Sequence, residues 1–217
     1  MNTDMNNVLS SPAELLGDAH PLLEQLGSPE ELGAVSALPA SLAFARITDV
    51  PALRRFLDAY RAQILVPLEL PAIIAAHGHA SRGELRELIA LDAQLAYEPM
   101  LRPFALASCQ VGQRQLSKLR PMRDQRVVQR YLTALAEGRA RGWHTLVYGL
   151  SLAMFSLPLR QGLQHYAEQT MRGFLIGAAR PLHLTETESD ALLVEYFSTI
   201  PATLGAVLEN RSLILSV

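Results

Sequence analysis

The sequence predicts an all-α protein, a single-domain helical bundle of roughly eight to ten helices. Apolar residues recur at helical spacing over most of the chain, no segment keeps the alternation of a strand, and residues typical of turns separate the periodic segments. The chain has 217 residues, of which 49% are hydrophobic. This length and apolar content are enough for one domain with a sizeable core.

The first helix is expected after Thr48 or Asp49, either of which can cap it, with Pro51 in its first turn. Pro67, Pro71 and the pair His77-Gly78 are expected to interrupt the helical pattern. Three later segments carry apolar stripes at helical spacing, namely Leu85, Leu88, Ile89 and Leu95; Val127, Val128, Tyr131, Leu132 and Leu135; and Leu192, Leu193, Tyr196, Phe197 and Ile200.

The segment from Glu98 to Leu116 is predicted to form one helix with an unusual apolar face. The residues on that face are Leu101, Phe104, Ala105, Ser108, Val111, Gly112, Leu116 and Leu119. A glycine inside a helix costs about 1 kcal/mol relative to alanine. We therefore expect another backbone to lie close against Gly112.

The N-terminal residues and one long apolar run differ in composition from the amphipathic segments. Residues 1–33 are rich in Asn, Ser, Pro and Gly and are predicted to form a flexible N-terminal arm, with the helical domain over 34–217. The run 142–159 is marginal as a membrane span, so we interpret it as a buried central helix. The acidic segment Thr185-Glu186-Thr187-Glu188 is interpreted as the capping start of the last helix and not as a carboxylate pair for acid/base work.

Charge and cysteine content limit the partners and the compartment. The formal charge is -2, so the chain has no overall basic excess and nucleic acid is not an expected partner. The start of the chain lacks the pattern of a secretory signal, and the single cysteine, Cys109, cannot form an internal disulfide. We therefore expect a cytoplasmic protein that does not span a membrane.

The sequence contains no phosphate-binding glycine loop, no zinc-protease motif and no nucleophile elbow. His77 and His79 are the best metal candidates, but two ligands fall short of the four that structural zinc requires, so a solvated loop is favoured over a metal site. No cofactor is predicted. Cys109 is interpreted as an inert thiol.

Arginines are the best candidates for contacts with other proteins, because guanidinium groups bind carboxylates and are enriched at interface hot spots. The partner-binding candidates are Arg102, Arg114 and Arg180. Arg180 is favoured because it is expected to close a long helix, directly before Pro181.

Several segments, taken in order, resemble the urease accessory protein UreF family. They are Leu70-Pro71-Ala72 followed by Ala76-His77; Leu91-Asp92-Ala93-Gln94-Leu95; the segment from Leu101 to Leu116; Gly142; Leu157-Pro158-Leu159; and Ala178-Ala179-Arg180-Pro181-Leu182. The resemblance covers roughly residues 42–205. The chain departs from the family pattern after Ser36-Ala37-Leu38-Pro39, where a glycine, a histidine and a glutamate are missing.

This resemblance implies a non-enzymatic, dimeric, cytoplasmic scaffold. Such a protein bridges the urease accessory protein of the D or H type to the G-type GTPase, in a complex that loads nickel into apo-urease. Ser108, Gly112 and Arg114 match the signature helix of the family, and Arg180 matches an arginine near its partner-facing surface.

Two other functions are consistent with an all-α chain of this length. One is a haem-oxygenase-like enzyme in which His20 or His144 is a ligand or a base. The other is the ligand-binding core of a helical transcription regulator, although no helix-turn-helix is evident in the sequence.

Overall fold

The core of the fold forms where the long helix that begins at Val50 packs against a buried helix that begins at His144. The computed structural model describes residues 47–214, apart from the side chains of 180, 181 and 210–214. The predicted N-terminal arm, the first residues of the predicted domain and His20 lie outside this range.

All the secondary structure in the described range is helical, as predicted. The eight α-helices are α1 Val50–Tyr60, α2 Leu70–Ser81, α3 Leu85–Tyr97, α4 Ala105–Lys118, α5 Arg126–Ala136, α6 His144–Met154, α7 Leu159–Leu182 and α8 Glu186–Ile214. A π-helical segment, Arg61–Glu69, joins α1 to α2, and a 3-10 turn, Arg102–Phe104, precedes α4. Because α1, the π-helical segment and α2 are continuous, the described range contains seven separate helices, slightly fewer than predicted.

The predicted interruption at Pro67 and Pro71 is wrong. Pro67 lies inside the π-helical segment and Pro71 lies in the first turn of α2, so the helix continues from Val50 to Ser81. Proline lacks the N–H group that an α-helix interior requires, and a π-helical turn is one way for the chain to continue past it. At the start of the helix, the Asp49 side chain accepts a hydrogen bond of 2.7 Å from the Ala52 N–H, which makes Asp49 the cap.

The central helix α6 packs against both α2 and α4. Every residue from 144 to 152 is buried, which confirms a core helix for this part of the run 142–159, whereas α6 ends at Met154 and the turn after it exposes Phe155 and Ser156. Gly149 allows the close crossing with α2, since a Cβ atom at that position would lie 2.4 Å from the Ile73 carbonyl oxygen.

The last two helices, α7 and α8, pack against each other. The predicted capping start is confirmed, and Thr185 and Glu188 are the residues that form it: the Thr185 N–H donates to Glu188 Oε2 over 2.9 Å, and the Glu188 N–H donates to Thr185 Oγ1 over 3.2 Å. Two segments, Val50–Ser81 and Glu186–Glu209, are long and apolar enough to cross a membrane by length and composition alone, a criterion that core helices of soluble proteins also meet.

Candidate functional site

The signature helix α4 lies directly against the start of α6. A Cβ atom at Gly112 would lie 2.1 Å from the carbonyl oxygen of Gly142 and 2.8 Å from the backbone nitrogen of His144. The close backbone approach predicted at Gly112 is confirmed. The predicted helix itself is shorter, because residues 98–104 form turns and a 3-10 segment before α4 begins at Ala105.

Two polar side chains hold the start of α6 in place. Ser108 Oγ on α4 accepts a hydrogen bond of 3.1 Å from the His144 N–H, and Trp143, at the N-cap position of α6, makes no side-chain capping bond. Asp92 on α3 accepts hydrogen bonds from the N–H groups of Arg141 and Gly142, at 2.7 and 2.9 Å. Three helices therefore meet at the first turn of α6.

The structural role of Asp92 could have been found from its position in the sequence. Asp92 falls on the apolar stripe of α3, four residues after Leu88 and three before Leu95, and all three side chains are buried. A buried carboxylate requires hydrogen-bond partners, and the Tyr131 hydroxyl supplies another at 2.7 Å. The sequence pattern indicated a buried acid, whereas its partners 39 to 50 residues away are visible only in the fold.

The outer side of α4 and the turn before it carry arginines beside exposed apolar groups. Arg102 and Arg114 are both exposed. The Arg102 side chain forms no hydrogen bond or ion pair with any residue in the described range. Tyr97, Met100 and Leu106 are three of the six large hydrophobic side chains exposed in that range, with 76, 39 and 75% of their surface accessible. We call Tyr97, Met100, Arg102 and Leu106 the α4 patch.

Arg180 lies in α7, which continues through Pro181 to Leu182, so the predicted helix end at Arg180 is two residues early. The Arg180 side chain is outside the described part of the structure.

The loop predicted around His77 and His79 is also wrong, because both residues lie in α2. On a helix, residues two positions apart point in very different directions, which does not suit a shared metal ion. His79 Nδ1 lies 2.8 Å from Glu84 Oε2, and Arg82 pairs with the same carboxylate. No group of three or more potential metal ligands is found within residues 47–214.

A buried polar cluster lies next to the start of α6, since its member Glu69 lines the same small cavity as Ser108 and Trp143. The Glu69 carboxylate, at the end of the π-helical segment, accepts hydrogen bonds from the hydroxyls of Tyr60 and Tyr166. Burial raises the pKa of Glu69 to about 7, and the two hydrogen bonds lower it in part. The Tyr166 ring packs against His144 and Tyr148, with ring centroids 5.9 and 5.1 Å apart.

His144 and Cys109, which the sequence offers as possible reactive groups, lie in or against the core. His144 is buried between tyrosine rings at the start of α6. Cys109 is partly buried, and burial raises the pKa of its thiol to about 11, which agrees with the predicted inert thiol.

A family model described as UreF matches residues 47–196, which is more than half of the chain. The chain belongs to the UreF family. No curated protein matches the sequence significantly. The matched range contains the long first helix, the signature helix α4, the central helix α6 and all of α7.

Membership of this family supports a role as a urease accessory protein. The family is one of accessory proteins, not of enzymes, and its members are generally soluble. On the signature helix, Ser108 bonds to the start of α6 and Gly112 lies against its backbone.

Proposed function

We propose that this UreF-family chain is a non-enzymatic cytoplasmic scaffold for urease maturation. It binds the accessory protein of the D or H type and the G-type GTPase, and the complex inserts nickel into apo-urease. The family match over residues 47–196 is the observation that carries this proposal.

The α4 patch supports a role in protein binding. Aromatic side chains, methionine and arginine are enriched at protein interfaces, and the patch combines all three around Arg102. Arg114 is also exposed and lies on α4, about two turns beyond Leu106. Arg180 is proposed as a third contact on the basis of its match to the family arginine.

Helix α8 supports the proposal that the chain forms a homodimer. Residues 196–208 contain no charged side chain, yet only 22% of the most apolar window in Glu186–Glu209 is buried. Val194 on this helix is 48% exposed. A second copy of the chain would remove such a surface from water.

The proposal is tested by purifying the chain with each accessory protein from the same organism and measuring the dissociation constants. We expect Arg102→Glu, Arg114→Glu and Arg180→Glu each to weaken binding of one partner while the thermal midpoint stays unchanged. Arg160→Glu is the matched control, because Arg160 is also exposed but lies at the start of α7. Failure of the parent chain to bind either accessory protein would overturn the proposed function.

A further inference from the structure

The overall charge of -2 hides an uneven distribution along the chain. Nine of the nineteen Lys and Arg residues lie between positions 102 and 141, and only two acidic residues, Asp124 and Glu137, lie in the same range. The rest of the chain is correspondingly acidic, with ten basic and nineteen acidic residues. This segment contains α4, α5 and the loops that follow them.

Six basic residues of this segment are exposed and form what we call the basic face, namely Lys118, Arg120, Arg123, Arg126, Arg130 and Arg141. Their side chains form no hydrogen bond or ion pair with another residue between 47 and 214. Two exposed arginines outside the basic face are paired, Arg82 with Glu84 and Arg139 with Glu137, whereas Arg102 is unpaired within residues 47–214. The basic face therefore carries positive charge that the described part of the fold leaves uncompensated.

The basic face is held together by two side-chain amides. Gln129 on α5 donates to the backbone oxygens of Arg120 and Met122, at 3.2 and 3.0 Å, which fixes the loop before α5 to that helix. Gln113 on α4 donates to the Arg141 carbonyl oxygen over 2.9 Å, which fixes the loop after α5 to α4. The six cations thus stand on connected elements whose relative positions are set by the fold.

Such a surface carries an energetic cost in the free chain. Arg126 and Arg130 are four residues apart on an exposed side of α5, an arrangement in which like charges destabilise a helix. An acidic partner would remove this repulsion and supply carboxylates for bidentate contacts with guanidinium groups.

We propose that the basic face is the docking surface for an acidic surface of another protein in the urease maturation complex. This inference rests on the proposed function, since it assumes a protein partner. A nucleic acid is disfavoured by the acidic remainder of the chain: a duplex carries one negative charge per about 1.7 Å of its length, so it would continue beyond the basic face over surface of its own sign.

The test compares two double variants with the same change in net charge. Arg126→Glu with Arg130→Glu reverses the centre of the basic face, and Arg55→Glu with Arg160→Glu reverses two exposed arginines on α1 and α7. Dissociation constants are measured for the D- or H-type accessory protein, the GTPase and apo-urease, at low and at physiological ionic strength. Thermal melting establishes that each variant is folded.

We expect the Arg126→Glu/Arg130→Glu variant, called the α5 variant, to weaken binding of one of these proteins by at least about tenfold and to make the dissociation constant less dependent on salt. The Arg55→Glu/Arg160→Glu control should bind as the parent does. If the α5 variant does not fold, Arg120→Ser with Arg123→Ser in the preceding loop tests the same face. If the parent binds and neither basic-face variant weakens binding, the assignment of this surface is wrong and the proposed function stands.

A second measurement separates the two proposals when the parent binds none of the three proteins. In that case the proposed function fails, and the basic face is tested with a labelled poly-glutamate peptide and a short DNA duplex. Binding of the peptide by the parent, lost in the α5 variant, supports the basic face as a site for acidic protein. No peptide binding, or tighter binding of the duplex, overturns it.

Discussion

At the scale of single residues, Gly112 is the glycine of the described range at which an added Cβ would make the closest contact. An alanine Cβ would lie 2.1 Å from the Gly142 carbonyl oxygen, and backbone cannot move aside as a flexible side chain can. We expect Gly112→Ala to lower the free energy of unfolding by about 1 to 3 kcal/mol, as overpacking does. Chemical denaturation of the purified protein measures this change.

Gly177 provides the control for that substitution. It is an exposed helical glycine in α7, and a Cβ atom there meets nothing within 4 Å. Because alanine has a higher helix propensity than glycine, Gly177→Ala should raise the stability by up to about 1 kcal/mol. Equal effects of the two substitutions would falsify the close contact between α4 and the start of α6.

The second prediction at this scale concerns the pH dependence of Glu69. Its pKa is about 7 in the folded chain and 4.5 for an unburied glutamate, so the folded state holds more protons between these values. The stabilisation from this difference is complete below about pH 4.5 and is lost as the pH rises through about 7. The free energy of unfolding should therefore fall over this range.

Glu69→Gln keeps an oxygen that can accept from the tyrosine hydroxyls but cannot ionise. We expect this variant to lose much of the decrease in stability between about pH 4.5 and about pH 7, as followed by urea denaturation at a series of pH values. A variant that retains the pH dependence of the parent would show that another group causes it.

At the scale of elements, the start of α6 depends on side chains from other helices. Ser108 on α4 accepts the His144 N–H, one of the first N–H groups of α6 that have no acceptor within the helix, and Trp143 at the N-cap position makes no capping bond. Ser108→Ala should cost about 0.5 to 2 kcal/mol of stability. Ser117→Ala is the matched control on the same helix, because the exposed Ser117 hydroxyl bonds only to the Gln113 carbonyl, and its loss should cost less than about 0.5 kcal/mol.

Asp92 anchors the same turn from α3. Asp92→Asn replaces one of two accepting carboxylate oxygens by an amide that cannot accept, so a buried donor among Tyr131, Arg141 and Gly142 loses its partner. We expect a loss of about 1 to 3 kcal/mol in denaturant unfolding. If Asp92→Asn is as stable as the parent, the Asp92 bonds are not what holds the loop before α6.

These elements also show what could be predicted from sequence. Helical periodicity predicted the buried stripes and the apolar face of α4, because both are determined by the spacing of apolar side chains along a helix. The continuation of the first helix through Pro67 could not be predicted, because it depends on a π-helical turn that periodicity does not encode. Likewise, the bond between Ser108 and His144 joins residues 36 positions apart and depends on how the helices pack.

At the scale of the whole molecule, the described part of the chain separates three kinds of surface. The α4 patch is apolar around Arg102, the basic face covers α5 and its flanking loops, and α8 exposes an uncharged apolar side. A scaffold that holds several proteins at once needs separate surfaces of different chemistry, because each surface then selects its own partner.

The last prediction concerns the homodimer. If two copies associate through α8, Val194→Glu should place a charge in the interface and convert the protein to a monomer, because an unpaired buried charge costs more than the apolar contact gains. Leu106→Glu, which charges an exposed apolar residue of the α4 patch, should leave the dimer intact. Light scattering coupled to gel filtration gives the molar mass of both variants. A parent chain that is monomeric at every accessible concentration would exclude the dimer, and dissociation by Leu106→Glu alone would place its interface at the α4 patch instead of α8.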